Sequence, residues 1–321
     1  MSRFRTLAIA AGLVVSTAVF TNSAFSQNLS IATGGTGGVY YPLGGGLAAV
    51  LSKVPGIQAT AEVTGGSVDN LKLVGSGKPY VGFTMADAAL DAAKGEDKFK
   101  SGAIPVRTLM VLYPNRMHVV TVEGTGITKM ADLKGKRVST GSPGSATEVM
   151  AFRVIEAAGL DRDKDMKRER LGVAESVNAI KDKKIDAFFW VGGLPTAAVT
   201  DLANTPGTTL KMIDHGDLVP KMNQKYGNLY VDDVIGKSVY KGMTADNRQA
   251  TVWNILVAHQ NMDETTAYNI VKAAFEKRDD LVAVHKEAEN FKLENQKAAS
   301  SPIPWHPGAI KYFAEKGIKL N

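Results

Sequence analysis

The chain has no cysteine among its 321 residues, which excludes disulfides, thiolate nucleophiles and a lipid-modified cysteine anchor together. Beyond residue 20 no long uninterrupted apolar run occurs, so nothing there reaches the roughly 20 residues of a membrane-spanning helix. Aromatic residues make up 7% and do not interleave with a basic stripe; Lys and Arg are dispersed among acids, as in Lys164-Asp165-Met166-Lys167-Arg168-Glu169-Arg170. The footprint of a nucleic-acid binder is missing. The five histidines (His118, His215, His259, His285, His306) lack metal-ligand spacing, and no H-E-x-x-H exists. Asp161-Arg162-Asp163-Lys164-Asp165 alternates acids as a calcium loop does, but Met166 stands where the turn glycine belongs and Gly172 where the bidentate glutamate belongs. That stretch reads as a charged helix-to-helix turn. Ser238-Val239-Tyr240-Lys241 spells S-x-x-K without a following S-D-N or K-T-G, and no G-x-S-x-G, Walker or dinucleotide fingerprint appears. No catalytic residue, cofactor or metal is expected.

What the chain does have begins with a leader. Arg3 and Arg5 form a positive start, Leu7 to Phe20 an apolar stretch, and Ala24-Phe25-Ser26 a small-x-small cleavage site. Residues 1–26 read as a secretory signal peptide cut before Gln27, and the mature protein is expected to be soluble, periplasmic and monomeric. Arg3 and Arg5 are the only charged residues before Gln27, so cleavage leaves 36 basic against 32 acidic side chains, a mild excess. Length alone suggests two domains.

The most informative segment is Thr33-Gly34-Gly35-Thr36-Gly37-Gly38-Val39-Tyr40-Tyr41, a glycine loop between a short apolar strand and an amphipathic helix. Backbone amides bared at a helix start, with no side chains to block approach, make an anion seat. Thr64-Gly65-Gly66-Ser67 is a relative, and Gly141-Ser142-Pro143-Gly144-Ser145-Ala146-Thr147 is a third such loop. Gly192-Gly193-Leu194-Pro195 opens a further helix and makes a fourth station. Several helix N-termini are therefore expected to converge on one small acidic molecule.

Between the loops, strands alternate with helices, the pattern of parallel sheets with helical crossovers. Strands are expected at 29–32, 59–63, 80–84, 107–113, 117–122, 137–140, 185–191 and 251–258. Leu43, Leu47, Val50 and Leu51 share a helix face, as do Val68, Leu71 and Val74, the latter ended by Gly75. Further helices are expected around 87–93, after Ser145, over 175–183 and over 264–277. Ser145 and Glu148 have capping-box spacing, and Gly159 suits the C-terminal end of that helix. Residues 218–246 read as mixed turns and short extended pieces, and His306 between two prolines as the start of the last helix. Crossing strands near 119–121 and 251–256 then join lobe I (27–121 and 251–321) to lobe II (122–250), with the ligand cleft between them.

Five runs in order along the chain resemble the TAXI family: 33–42, Thr64 to Leu71, Leu133 to Val138 with Gly141 to Thr147, Asp186 to Phe189 with Gly192 to Ala198, and Ile303 to Tyr312. These are substrate-binding proteins of one class of TRAP transporters. The resemblance implies a type II periplasmic-binding-protein fold of the α/β class and delivery of ligand to TRAP membrane subunits driven by an ion gradient. Two departures stand out. Family members often carry Gln-Ala-Asp where this chain has Met85-Ala86-Asp87, and Gly-Thr where it has Ala146-Thr147.

The candidate ligand-binding residues are Gly35, Thr36, Gly37, Gly38, Tyr40, Gly66, Ser67, Met85, Ser142, Gly144, Ser145, Thr147, Gly192 and Gly193. Each has a structural reading beside the functional one: tight turns for the first glycines, core packing for Tyr40, capping for Ser145, relief of the bulky Phe188-Phe189-Trp190 strand for Gly192 and Gly193. The resemblance implies an organic acid and amide-rich seats lie in both lobes, so the ligand expected is a small dicarboxylate of the 2-oxoglutarate or glutamate kind. Met85 removes an amide and points to the keto acid over the amino acid. A binding protein for an amino acid, sulfonate or phosphate serving another transporter or sensor is the alternative, with an exported enzyme behind it.

Overall fold

The computed structural model describes residues 27–320, so the leader expected over residues 1–26 lies outside the described part. The first half of the chain runs β1 (Gln27–Ala32), α1 (Tyr40–Leu51), β2 (Ile57–Glu62), α2 (Ser67–Gly75), β3 (Tyr80–Met85), α3 (Ala86–Lys94) and the 17-residue β4 (Val106–Val122). Next come β5 (Arg137–Ser139), α4 (Ala146–Ala157), β6 (Lys167–Glu169), α5 (Val173–Lys181), β7 (Ala187–Gly192), α6 (Ala197–Asn204) and β8 (Leu210–Met212). The chain ends with α7 (Val219–Tyr226), β9 (Val231–Ile235), β10 (Asn247–His259), α8 (Glu264–Glu276), α9 (Arg278–Val284) and α10 (Pro307–Glu315).

The strands form one sheet in the order β2-β1-β3-β10-β4-β7-β5-β6, with β8 added to β4 and β9 to β10. Pairs β1–β2, β1–β3, β5–β6 and β5–β7 are parallel, while every pair involving β4 or β10 is antiparallel. The two long central strands therefore join two parallel halves, the arrangement of a type II periplasmic binding protein. Along β4 the partner on one side becomes β7 only from Arg116 onward, while β10 pairs with β3 only from Asn254 onward. The strands pass from one half to the other near Tyr113 to Arg116.

Burial follows the expected stripes: Leu43, Leu47, Val50 and Leu51 of α1 and Val68, Leu71 and Val74 of α2 are all buried. A large apolar cluster runs through the β1–β3 half, the central strands and α4, and a smaller one packs α5 and α6 against β4 and β7. Ser145 caps α4, its hydroxyl accepting from the Glu148 N–H at 3.1 Å. The return half of the capping box is absent, because the Ser145 N–H goes to the Ser142 carbonyl and the Glu148 carboxylate is taken up by cations.

The structure corrects several expectations. The strands expected at 107–113 and 117–122 are one strand: at its irregular centre Gln296 bonds both the N–H and C=O of Val111, at 2.8 and 3.0 Å, and Gln249 accepts from the Met117 N–H. The charged turn at 161–165 leads into β6, not a helix. The turns expected over 218–246 include α7, whose polar residues hid it and whose Val219 and Met222 are buried. Among the described residues no helix is long and apolar enough to cross a membrane.

Candidate functional site

A cavity of about 360 Å³ opens between the two halves of the sheet, within the roughly 300–1,000 Å³ of small-molecule sites. It is lined by the loops 34–40, 63–67 and 142–147 and by residues 170–175, with Met85, Tyr113, Asn115 and 190–192 closing it. Strand ends and helix starts meet there because each parallel strand hands the chain to a helix at the same edge of the sheet. Neither α1 nor α2 has a side-chain N-cap, so first-turn amides without intrahelical partners face this region.

Asn70 fixes the first two loops. Fully buried, it donates to the carbonyls of Thr33 (2.6 Å) and Phe83 (2.7 Å) and accepts from the Thr64 hydroxyl (2.6 Å), tying the ends of β1 and β3 to the second loop. Thr64 in turn accepts from the Gly66 N–H, and Gly66 takes φ +121°, a backbone state open chiefly to glycine. Ser67, buried, accepts from the Met85 N–H at 3.2 Å and holds the start of α3 against the loop. Tyr40 reaches the central strands, its hydroxyl donating to Asn254 Oδ1 at 2.5 Å while its ring lies 5.2 Å from Phe83. Burial pushes its ionisation above the usual tyrosine range.

On the opposite wall Trp190 lies against Gly38, where an added Cβ would meet the indole at 2.8 Å. Its indole N–H donates to Thr196 Oγ1 (2.9 Å), and the Thr196 N–H donates to the Tyr240 hydroxyl, which hydrogen-bonds His118 Nε2 at 3.0 Å. Burial lowers the His118 pKa to about 4, so this imidazole is neutral around pH 7 and accepts from Tyr240 while its Nδ1 donates to the Arg116 carbonyl. The two halves also touch directly. Ser142 Oγ donates to the Gly65 carbonyl (3.0 Å), the Asp69 N–H to the Gly144 carbonyl (3.1 Å) and the Ala198 N–H to the Gly37 carbonyl (3.3 Å).

A second contact between the halves is ionic. Arg153 of α4, its side chain 5% exposed, bonds Asp91 (2.5 Å) and the Tyr230 hydroxyl (2.8 Å), with Asp87 and Asp97 at 3.5 and 3.6 Å. Beside it buried Glu148 accepts from Arg170 (2.5 Å), Arg168 (3.3 Å) and Lys98 (3.4 Å), the last from the other half. Burial raises the Asp91 pKa to about 6. Arg170 is the one cation lining the cavity among the described residues, and Glu148 already holds it.

Twelve of the candidates line the cavity: Gly35, Thr36, Gly37, Gly38, Tyr40, Gly66, Ser67, Met85, Ser142, Ser145, Thr147 and Gly192. Gly144 and Gly193 stand behind the wall. A Cβ on Gly144 would strike the Asp69 carboxylate, and one on Gly193 would strike Glu287 and the Tyr113 ring, so these glycines admit neighbours rather than ligand. The fourth helix start at the cavity is that of α5, after Gly172, not α6. The signal was present in Arg170-Leu171-Gly172-Val173, an extended run broken by glycine before a helix. Tyr113, Asn115, Arg170, Glu175 and Trp190 were not among the candidates, and tertiary structure alone brings them in.

Comparison with known proteins fits this geometry. The NMT1-like family pattern matches residues 31–317. The chain belongs to the NMT1-like family. Among solved structures, this NMT1-like protein is similar to MatC from Rhodopseudomonas palustris with bound malate (TM-score 0.55, 12% identity, 82% of this chain and 88% of that one). It is also similar to a periplasmic transporter structure (TM-score 0.53, 14% identity, 92% and 99% covered) and to a protein of Bordetella bronchiseptica RB50 (TM-score 0.51, 21% identity, 89% and 88% covered). At these identities the likeness shows the fold the NMT1-like chain adopts.

Proposed function

We propose that this protein is a periplasmic solute receptor that encloses a small organic anion between two lobes and delivers it to the membrane subunits of a transporter. The observation that carries this reading is the convergence of four helix starts, those of α1, α2, α4 and α5, on one cavity between the halves of the sheet. Each helix start contributes on the order of 0.3 to 1 kcal/mol to holding an anion, and more where closure excludes water. The helix starts carry the seat, and Arg170, held on Glu148 through Nε and Nη2, adds a positive charge at its edge. MatC holds malate in the same fold, which supports an organic acid here.

In finer detail, the ligand is a dicarboxylate of the 2-oxoglutarate or glutamate class, with one carboxylate on the loops of lobe I (27–121 and 251–321) and the other on those of lobe II (122–250). The motif runs quoted above favour a TAXI-type receptor serving TRAP membrane subunits, acting as a monomer without catalytic chemistry. The residues assigned to ligand are those of the glycine loops and Tyr40, Ser67, Met85, Ser142 and Thr147. Calorimetry or thermal shift with succinate, glutarate, 2-oxoglutarate and glutamate tests this. At about 100-fold excess over Kd the folded state gains roughly 2.7 kcal/mol. A shift with a neutral or singly charged compound, beside none with any dicarboxylate, overturns the assignment.

A further inference from the structure

The floor of the cavity carries two polar side chains that nothing in the protein satisfies. Tyr113 and Asn115 stand two residues apart on β4, hence on the same face of the strand, where the central strands pass between the halves. Tyr113 is fully buried and Asn115 is 2% exposed, and both line the cavity. The Tyr113 hydroxyl and Asn115 Oδ1 have no hydrogen-bond partner, a costly state for buried groups. The neighbouring polar groups are engaged elsewhere: the Tyr40 hydroxyl with Asn254, Ser67 Oγ with the Met85 N–H, and Thr147 Oγ1 with the Val191 N–H.

The chemistry of the floor differs from that of the loops. No cation lines the floor among the described residues, and the buried carboxylate behind it is already paired: Glu287, which flanks Gly193 together with the Tyr113 ring, bonds the Leu194 N–H at 2.6 Å and pairs with Arg116 at 3.5 Å. The free acceptor of the floor, Asn115 Oδ1, offers no bond to a second carboxylate, which only accepts, but it does bond a hydrogen-bond donor. With the ligand's two carboxylates on the loops of either half, the group facing β4 is the substituent on the carbon chain between them.

Resting on the organic-acid reading above, we propose that Tyr113 and Asn115 set specificity within that class by holding a hydroxyl or ammonium substituent, whose proton Asn115 Oδ1 accepts while the Tyr113 hydroxyl makes the second contact. A keto oxygen can use Tyr113 but leaves Asn115 Oδ1 unsatisfied. This reverses the preference for the keto acid expected from Met85, because the floor supplies the polar contact that Met85 lacks.

The test is calorimetry with glutarate, 2-oxoglutarate, 2-hydroxyglutarate and glutamate on the wild-type protein and on Asn115→Leu, Asn115→Asp and Tyr113→Phe. A site built to bond a substituent rejects analogues lacking it, so the hydroxy or amino acid should bind at least about tenfold tighter than glutarate and 2-oxoglutarate. Asn115→Leu should collapse that ratio to within about threefold, Tyr113→Phe should reduce it less, and Asn115→Asp, which keeps an acceptor, should preserve or raise the ratio for glutamate. The last variant keeps the test alive if the leucine variant melts early. If the acids bind but 2-oxoglutarate is tightest, or if Asn115→Leu weakens all four alike, this inference falls and the receptor reading stands. If none of the four binds the wild-type protein, both fall.

Discussion

The two halves of the molecule meet at two places built from opposite materials. Around the cavity they touch through main chain and glycine: Ser142 on the Gly65 carbonyl, Asp69 on the Gly144 carbonyl, and Trp190 on Gly38. Between α3 and α4 they touch through buried charge, Arg153 among Asp87, Asp91 and Asp97, with Lys98 on Glu148 beside it. Hydrogen bonds beside an open cavity exchange for water at a net change of about 1 kcal/mol each. A buried charge has no such substitute. The rim is therefore limited by shape, and the ionic clasp by charge.

The sharpest way to break this comparison is Arg153→Met. It leaves buried carboxylates uncompensated and should cost about 3–5 kcal/mol of stability, read by chemical denaturation. A loss below about 1 kcal/mol would mean that the clasp is solvated. Gly65→Ala attacks the rim instead. An added Cβ would meet the Pro143 carbonyl oxygen at 2.4 Å, so affinity for the bound acid should fall on the order of 100-fold, about 2.7 kcal/mol, while the unfolding midpoint of the free protein moves little. Scattering profiles with saturating ligand should then show the variant more extended than the wild type.

Acid titration separates the two places by sign. Burial holds His118, on the cavity side, at about 4, so the unfolded chain binds more protons than the folded one and stability from this group is lost as pH falls from 6.5 towards 4. Burial raises Asp91, in the clasp, to about 6. Its contribution is fully present below the unfolded value near 3.8 and is lost as pH rises through 6. The wild-type slope between pH 4 and 6 should be shallow. His118→Asn should tilt it towards greater stability in acid and Asp91→Asn towards less, each by about 1–3 kcal/mol across the window. Parallel profiles for wild type and both variants would refute the assignment. The smallest effect belongs to Lys98→Met: its side chain is 35% exposed, so the lost pairing with Glu148 should cost under about 1 kcal/mol, with Arg168 and Arg170 still holding that carboxylate.

How much of this was legible in the chain follows from what is local. The alternation of strand and helix, the Ser145 cap and the glycine loops rest on spacings of a few residues, and those elements lie close to where the spacing put them. The division of labour among glycines was not legible, because Gly38, Gly144 and Gly193 differ only in what approaches them from far along the chain. Gly172 carried the same local mark as the other stations but was read only as a failed calcium ligand. Tyr113 and Asn115 flank Pro114 in the polar stretch that reads as a break between two strands, and only the fold, with the absence of partners, singles them out. The clasp left a trace: Asp87 and Asp91 are four apart on α3 among the buried Ala88, Ala89 and Ala92, which puts two acids on an apolar face and calls for a cation.

Gln296 has a consequence for the order in which the molecule assembles. It closes both main-chain groups of Val111 from 185 positions away, and Trp305 bridges Thr108 from further still. The longest strand of the sheet is thus incomplete until these far-downstream residues arrive. Contacts of such long sequence separation slow folding, because the loop must close before they contribute. A chain stopped short of residue 296 should collapse around β1 to β3 yet leave β4 open at its centre, an unfinished edge ready to pair with a neighbouring chain.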